Sequence, residues 1–270
     1  DREYGLGESL KNALKIEKWC KEKYGEKEIY ERRLPSSIAE NEEEKKLGKA
    51  LAHLRKKMKQ YEGQEITDIQ NEEDRKILEV IDRLDREYGL GESLKNALKI
   101  EKWCKEKYRK KEIYERRLPS STAENEEEKK LGEALVSIRV KMKQYKRQEI
   151  ADIPHEEDRE VLEIINRLDR EYGLGESLKN ALKIEKWCKE KYGEKDIYER
   201  RLPNSKAENE EEKKLGQAVL NIRRKMKTYE GQEIADIQNE EDRKILEIIN
   251  RLDREYGLGE SLKNALKIEK

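Results

Sequence analysis

The segment DREYGLGESLKNALKIEK begins at Asp1, Asp85, Asp169 and Asp253, so the chain repeats itself every 84 residues. This periodicity constrains the fold more than any other feature. A repeat of this length is one supersecondary unit that buries its apolar face against its own helices and its neighbours. The repeats are 1–84, 85–168 and 169–252, followed by a partial fourth at 253–270. Because the chain starts and stops within the repeat pattern, it is expected to belong to a longer array. An engineered array of one natural unit would carry the same letter-identical blocks.

Charged residues make up 46% of the 270 residues, apolar residues 34%, and there is no Phe. Such a composition suits either disorder or long surface helices, and the spacing of the apolar residues decides for helices. In each repeat three helical patterns are expected. The first starts near Ser9 as N-cap and carries Leu10, Ala13, Leu14, Ile16, Trp19, Cys20 and Tyr24. Its pattern stops near Gly25, and Pro35 argues against a helix through the segment that follows. The second runs from about Asn41 to Tyr61, with Leu47, Leu51, Leu54 and Met58 on one face and Glu42, Glu43 and Glu44 in the first turn, where the helix dipole favours them. Gly63 is placed to end it. The third starts at the N-cap Asn71 and carries Ile77, Leu78, Val80, Ile81, Leu84 and Tyr88 up to Gly89. Few residues then separate it from the next first helix, so consecutive repeats should touch. The expected fold class is all-α: tandem three-helix repeats, either a continuous α-solenoid-like array or small bundles in series.

Several functional classes find no support. Cys20, Cys104 and Cys188 recur singly beside a Trp, which is not a disulfide framework, and a reducing, cytoplasmic setting is the simplest expectation. His53 and His155 occupy different repeat positions, so no recurring metal-ligand cluster exists. No base recurs beside a nucleophile. No apolar run is long enough to span a bilayer. No enzyme, cofactor, metal, membrane or small-molecule substrate is expected.

The copies differ unevenly. Positions 1–24 are letter-identical in all three repeats, whereas six of the eight positions from 49 to 56 differ. Two are conservative core exchanges. The other four are Lys49, Ala52, His53 and Lys56; then Glu133, Val136, Ser137 and Val140; then Gln217, Leu220, Asn221 and Arg224. Their spacing is i, i+3, i+4, i+7, one face of a helix, and at about 100° per residue it lies opposite the Leu47/Leu54/Met58 face. Drift would scatter differences over every exposed position. Here they concentrate.

The second helix is also basic within a neutral chain. Lys45, Lys46, Arg55, Lys57 and Lys59 recur as Lys129, Lys130, Arg139, Lys141 and Lys143, and as Lys213, Lys214, Arg223, Lys225 and Lys227. A solvated face explains basic residues alone. Combined with the variable face, the pattern suits a division of labour in which constant cations hold phosphates and variable side chains read base edges. An α-helix fits the major groove of B-DNA, so double-stranded DNA is expected ahead of RNA. In the loop, Arg32 and Arg33 recur as Arg116/Arg117 and Arg200/Arg201; they either clamp phosphate beside Tyr30 or pair with nearby Glu to hold the loop. The competing expectation is a protein-binding scaffold, which Val136, Val140 and Leu220 suit.

Trp19, Pro35, Leu47-Gly48 and Arg55, followed by Gly63 and a Leu-rich helix, resemble the helicase-associated domain, a small three-helix module found in tandem beside bacterial superfamily 2 helicases. The same markers recur as Trp103, Pro119, Leu131-Gly132 and Arg139, and as Trp187, Pro203, Leu215-Gly216 and Arg223. The resemblance covers nearly the whole chain and implies a tandem three-helix fold that binds nucleic acid. Ala50, Ala134 and Ala218 stand where that family usually carries a second Trp, and no helicase motor motif is present.

Overall fold

A computed structural model describes residues 7–146 and 148–259. Nine α-helices and no strand occur among them: α1 Glu8–Tyr24, α2 Glu42–Met58, α3 Glu72–Tyr88, α4 Glu92–Lys107, α5 Glu126–Met142, α6 Glu156–Tyr172, α7 Glu176–Tyr192, α8 Glu210–Met226 and α9 Glu240–Tyr256. Three helices per repeat, all-α, is the architecture the apolar spacing predicts. The partial fourth repeat lies outside the described residues from position 260 onward.

The described chain falls into two compact units. One comprises the residues up to Lys102 together with Pro119–Ile165; the other comprises Trp103–Leu118 together with the residues from Asn166 onward. The first holds repeat 1 whole and the second holds repeat 3 whole.

In the first unit, Leu10, Ala13, Ile16 and Cys20 of α1 meet Leu51, Leu54 and Met58 of α2 and Ile77, Val80, Ile81 and Leu84 of α3 in one buried core. The second unit repeats this core with α7, α8 and α9. Burial of such side chains is the main driving force for a chain so rich in charge.

The expected N-caps of the second and third helices are present. Asn41 accepts from the Glu44 N–H at 2.9 Å and Asn71 from the Asp74 N–H at 3.0 Å. The first helix differs from expectation: it starts at Glu8 with Gly7 as cap, and Ser9 lies inside the first turn. The reason comes from the third helix. The Glu73 carboxylate occupies the space where a Cβ of residue 7 would stand, and in the next repeat the equivalent Glu157 accepts from the Gly91 N–H at 3.1 Å. A carboxylate from α3 or α6 thus serves the helix start, and only Gly leaves room for it. The second helix also ends earlier than expected: α2 stops at Met58 and tightens into a 3₁₀ turn at Lys59–Tyr61. Gly63 follows with φ +84°, the left-handed region that suits glycine.

Between α1 and α2 the chain makes a 3₁₀ turn at Ile29–Glu31 and then runs extended past buried Pro35. This loop crosses α2 at Gly48, where a Cβ would overlap the backbone of Ser36 and Ser37. The Leu-Gly pair in each repeat marks this crossing, since Gly132 meets Ser120 and Ser121, and Gly216 meets Asn204 and Ser205.

Consecutive repeats touch through the same loop. Within the first unit Lys102 of α4 reaches Glu28 at 3.3 Å and lies 5.5 Å from the Tyr30 ring. Within the second, Lys186 of α7 reaches Glu112 at 3.3 Å and lies 5.7 Å from the Tyr114 ring.

Candidate nucleic-acid interface

The four variable positions of each repeat are brought together as expected. Lys49, Ala52, His53 and Lys56 on α2, Glu133, Val136, Ser137 and Val140 on α5, and Gln217, Leu220, Asn221 and Arg224 on α8 are all exposed. Val136 is 52% exposed, Val140 60% and Leu220 44%. The opposite side of each helix faces the core, so this face turns away from its own repeat.

The constant cations sort into two groups. Arg55 and Lys57 flank the variable face and fold back toward α3. Arg55 pairs with Asp85, and Lys57 donates to Asp74 at 2.9 Å. Repeat 3 copies both, Arg223 with Asp253 and Lys225 with Asp242 at 2.7 Å; in repeat 2 Lys141 donates to Asp158 at 2.9 Å. Arg139 is exposed at the corresponding position. These side chains tie the second helix to the third.

The second group makes no such tie to the third helix. Lys46 and Lys59, with Lys130 and Lys143 and with Lys214 and Lys227, are exposed and have no carboxylate within ion-pair range among the described residues. Lys129 is likewise unpaired, whereas Lys45 and Lys213 each sit 3.1 Å from the glutamate three residues earlier, Glu42 and Glu210. Lys46 and Lys59 are thirteen residues apart, so they bracket the four variable side chains over roughly 20 Å of helix.

The loop arginines are bonded internally. Arg32, Arg116 and Arg200 donate through Nε to the carbonyls of Lys27, Lys111 and Lys195 at 2.8, 3.1 and 2.9 Å. Each guanidinium lies 5.8 Å from a tyrosine ring, of Tyr88, Tyr172 and Tyr256 respectively. Arg33 pairs with Glu44 at 2.8 Å and Arg201 with Glu212; Arg117 is exposed in the same loop. Tyr30 is half-buried beneath Lys102.

Two acidic residues organise this scaffold, and sequence reasoning treated them only as helix-start acids. Buried Glu44 receives Lys23 of α1 at 2.9 Å, Arg33 of the loop, and the Ser36 N–H at 3.4 Å. Its counterpart Glu212 is held at a pKa of about 2, chiefly by the Arg201 hydrogen bond and against burial, which pushes it upward. Buried Asp74 receives Lys57 and the Tyr61 hydroxyl at 2.8 Å. Burial raises its pKa, but the hydrogen bonds from Lys57 and Tyr61 outweigh that and hold it low. The sequence signal was available: in five of the six acidic triplets the third residue stands three positions after an Asn cap, His155 taking that place before Asp158.

Beside the α8 face the second unit contains a groove of about 940 Å³, lined by Tyr114, Asn180, Lys183, Trp187, Lys214, Gln217 and Asn221 among others. Asn180 and Lys183 were not singled out from sequence, although their constancy at exposed or half-exposed positions of the first helix was visible. Among these lining residues Gln217 Nε2 donates to Asn221 Oδ1 at 3.3 Å.

Cys20 and Cys188 are buried, and burial pushes each thiol up to about 12. Among the described residues no cluster of three His, Cys, Asp or Glu side chains is arranged to hold a metal, and no helix is long and apolar enough to cross a membrane. No protein-family model matches the chain, and no curated protein or solved structure is similar to it.

Proposed function

We propose that the protein is a modular nucleic-acid-binding repeat array that engages double-stranded DNA. The outward faces of α2, α5 and α8 make the repeat-specific contacts. Lys46, Lys59 and their counterparts take phosphates on either side, and the variable side chains between them meet base edges. The protein binds and orients; it does not catalyse.

One observation carries this reading. Four of the five positions that differ in all three repeats share one exposed helical face, the fifth (Ile38, Thr122, Lys206) lying in the preceding loop, while the neighbouring constant Arg55 and Lys57 are tied to α3. The scaffold is therefore held fixed and the presented chemistry changes. The short motifs shared with the helicase-associated module point the same way.

Exposed Val136 and Val140 favour a second reading, a scaffold for protein partners. Salt separates the two. Binding of a mixed-sequence duplex, followed by fluorescence anisotropy from roughly 50 to 200 mM salt, should weaken about a thousand-fold if six lysines meet phosphates. No binding at the low-salt end overturns the DNA reading and favours the protein scaffold.

A further inference from the structure

We infer that Gln217 and Asn221 act as one adenine-reading unit at the face of repeat 3. This rests on the DNA-binding reading above and deepens it.

The two side chains are one helical turn apart, both exposed, and joined by the 3.3 Å bond from Gln217 Nε2 to Asn221 Oδ1. The bond fixes which end of each amide faces its neighbour. It leaves Gln217 Oε1 to accept and Asn221 Nδ2 to donate. The pair therefore presents an acceptor and a donor together, and the bond between them lowers the entropy cost of ordering two flexible side chains.

The four bases differ in what they offer to such a pair in the major groove. Adenine presents an N6–H donor beside the N7 acceptor, matching Gln217 Oε1 and Asn221 Nδ2 respectively. Guanine presents two acceptors, O6 and N7, which places one of them against the Gln217 oxygen. Cytosine presents only the N4–H donor, and thymine only the O4 acceptor with a methyl group. Of the four bases taken singly, adenine alone satisfies both ends. Discrimination against guanine comes from an unfavourable oxygen–oxygen approach as well as from a missing bond.

The corresponding residues of the other repeats cannot present this pair. Repeat 1 has Lys49 and His53, with a purely donating ammonium at the first position. Repeat 2 has Glu133 and Ser137, with a purely accepting carboxylate there. Lys214, one turn before Gln217 and exposed without an ion-pair partner, is placed to take a phosphate beside the same base.

The test is a selection from randomised duplex DNA with the full chain, run in parallel with Asn221→Asp. That substitution keeps size and replaces the donor by a second acceptor. Residue 221 is exposed, and far-UV circular dichroism checks that both proteins fold alike. The wild type should enrich an adenine at one position of its motif, with about ten-fold or greater loss when that adenine is changed. Asn221→Asp should shift that position alone toward cytosine. A motif that lacks adenine, or whose adenine is indifferent to Asn221→Asp, overturns this inference and leaves the DNA-binding reading standing. Failure to enrich any motif with either protein contradicts sequence reading by these helices, and this inference with it.

Discussion

Gly48 of α2 lies against the backbone of Ser36, so closely that a Cβ at position 48 would overlap the Ser36 carbonyl carbon. Helix and loop meet backbone to backbone, with no side chain between them. Glu44, one turn earlier, accepts from the Ser36 N–H and from Lys23, and pairs with Arg33. Loop, first helix and second helix are thus fixed to one another around a four-residue stretch, which sets the direction of the outward face of α2.

Gly48→Ala should therefore destabilise the protein, although alanine is the better helix former by about 1 kcal/mol. The added methyl meets backbone that must shift as a unit, and overpacking of this kind costs about 1–3 kcal/mol. Chemical denaturation should show a net loss of up to about 2 kcal/mol, the difference between the two effects. A stabilising result would show that the loop yields.

The buried carboxylates make acid sensitivity specific. Glu212 titrates at about 2 in the folded protein against an ordinary 4.5, so its contribution is fully present above 4.5 and is lost as pH falls toward 2. Glu212→Gln should lower stability at neutral pH by roughly 1–3 kcal/mol. The gap between variant and wild type should close progressively below pH 4.5, measured by thermal melts across that range. A gap that is constant with pH would show that the carboxylate charge is not what matters.

The two groups of cations should behave differently toward DNA. Lys46→Ala and Lys59→Ala remove unpaired cations, so each should lower the slope of log K against log salt by about 0.9, with similar weakening on every sequence. Arg55→Ala removes a side chain committed to Asp85. It should leave the slope unchanged and alter stability by less than about 1 kcal/mol, since both partners are partly exposed.

How much of this could be read from the sequence follows from the range of the interactions. Helix number and class were legible because Leu47, Leu54 and Met58 recur at helical spacing, and the caps Asn41 and Asn71 act on residues three positions away. The exposure of positions 49, 52, 53 and 56 followed from the same geometry. The start of α1 was misplaced because its decisive partner, Glu73, lies on α3. The sorting of the cations was equally hidden: Asp85 is 30 positions from Arg55, and Asp74 is 17 from Lys57. Sequence spacing places a lysine on a helix edge but does not say which carboxylate of another helix meets it. The role of Gly48 was visible only as a recurring Leu-Gly, and the crossing loop that requires it appears in three dimensions.

The most direct test of the account exchanges faces between repeats. Lys49, Ala52, His53 and Lys56 are replaced together by Glu, Val, Ser and Val, the set that repeat 2 carries, and both proteins are used to select from randomised duplex DNA. All four positions are exposed, so the fold should be retained. Base reading by this face predicts a motif in which only the segment assigned to repeat 1 changes, and changes to match the segment assigned to repeat 2. A motif that is identical for both proteins would contradict base reading by this face.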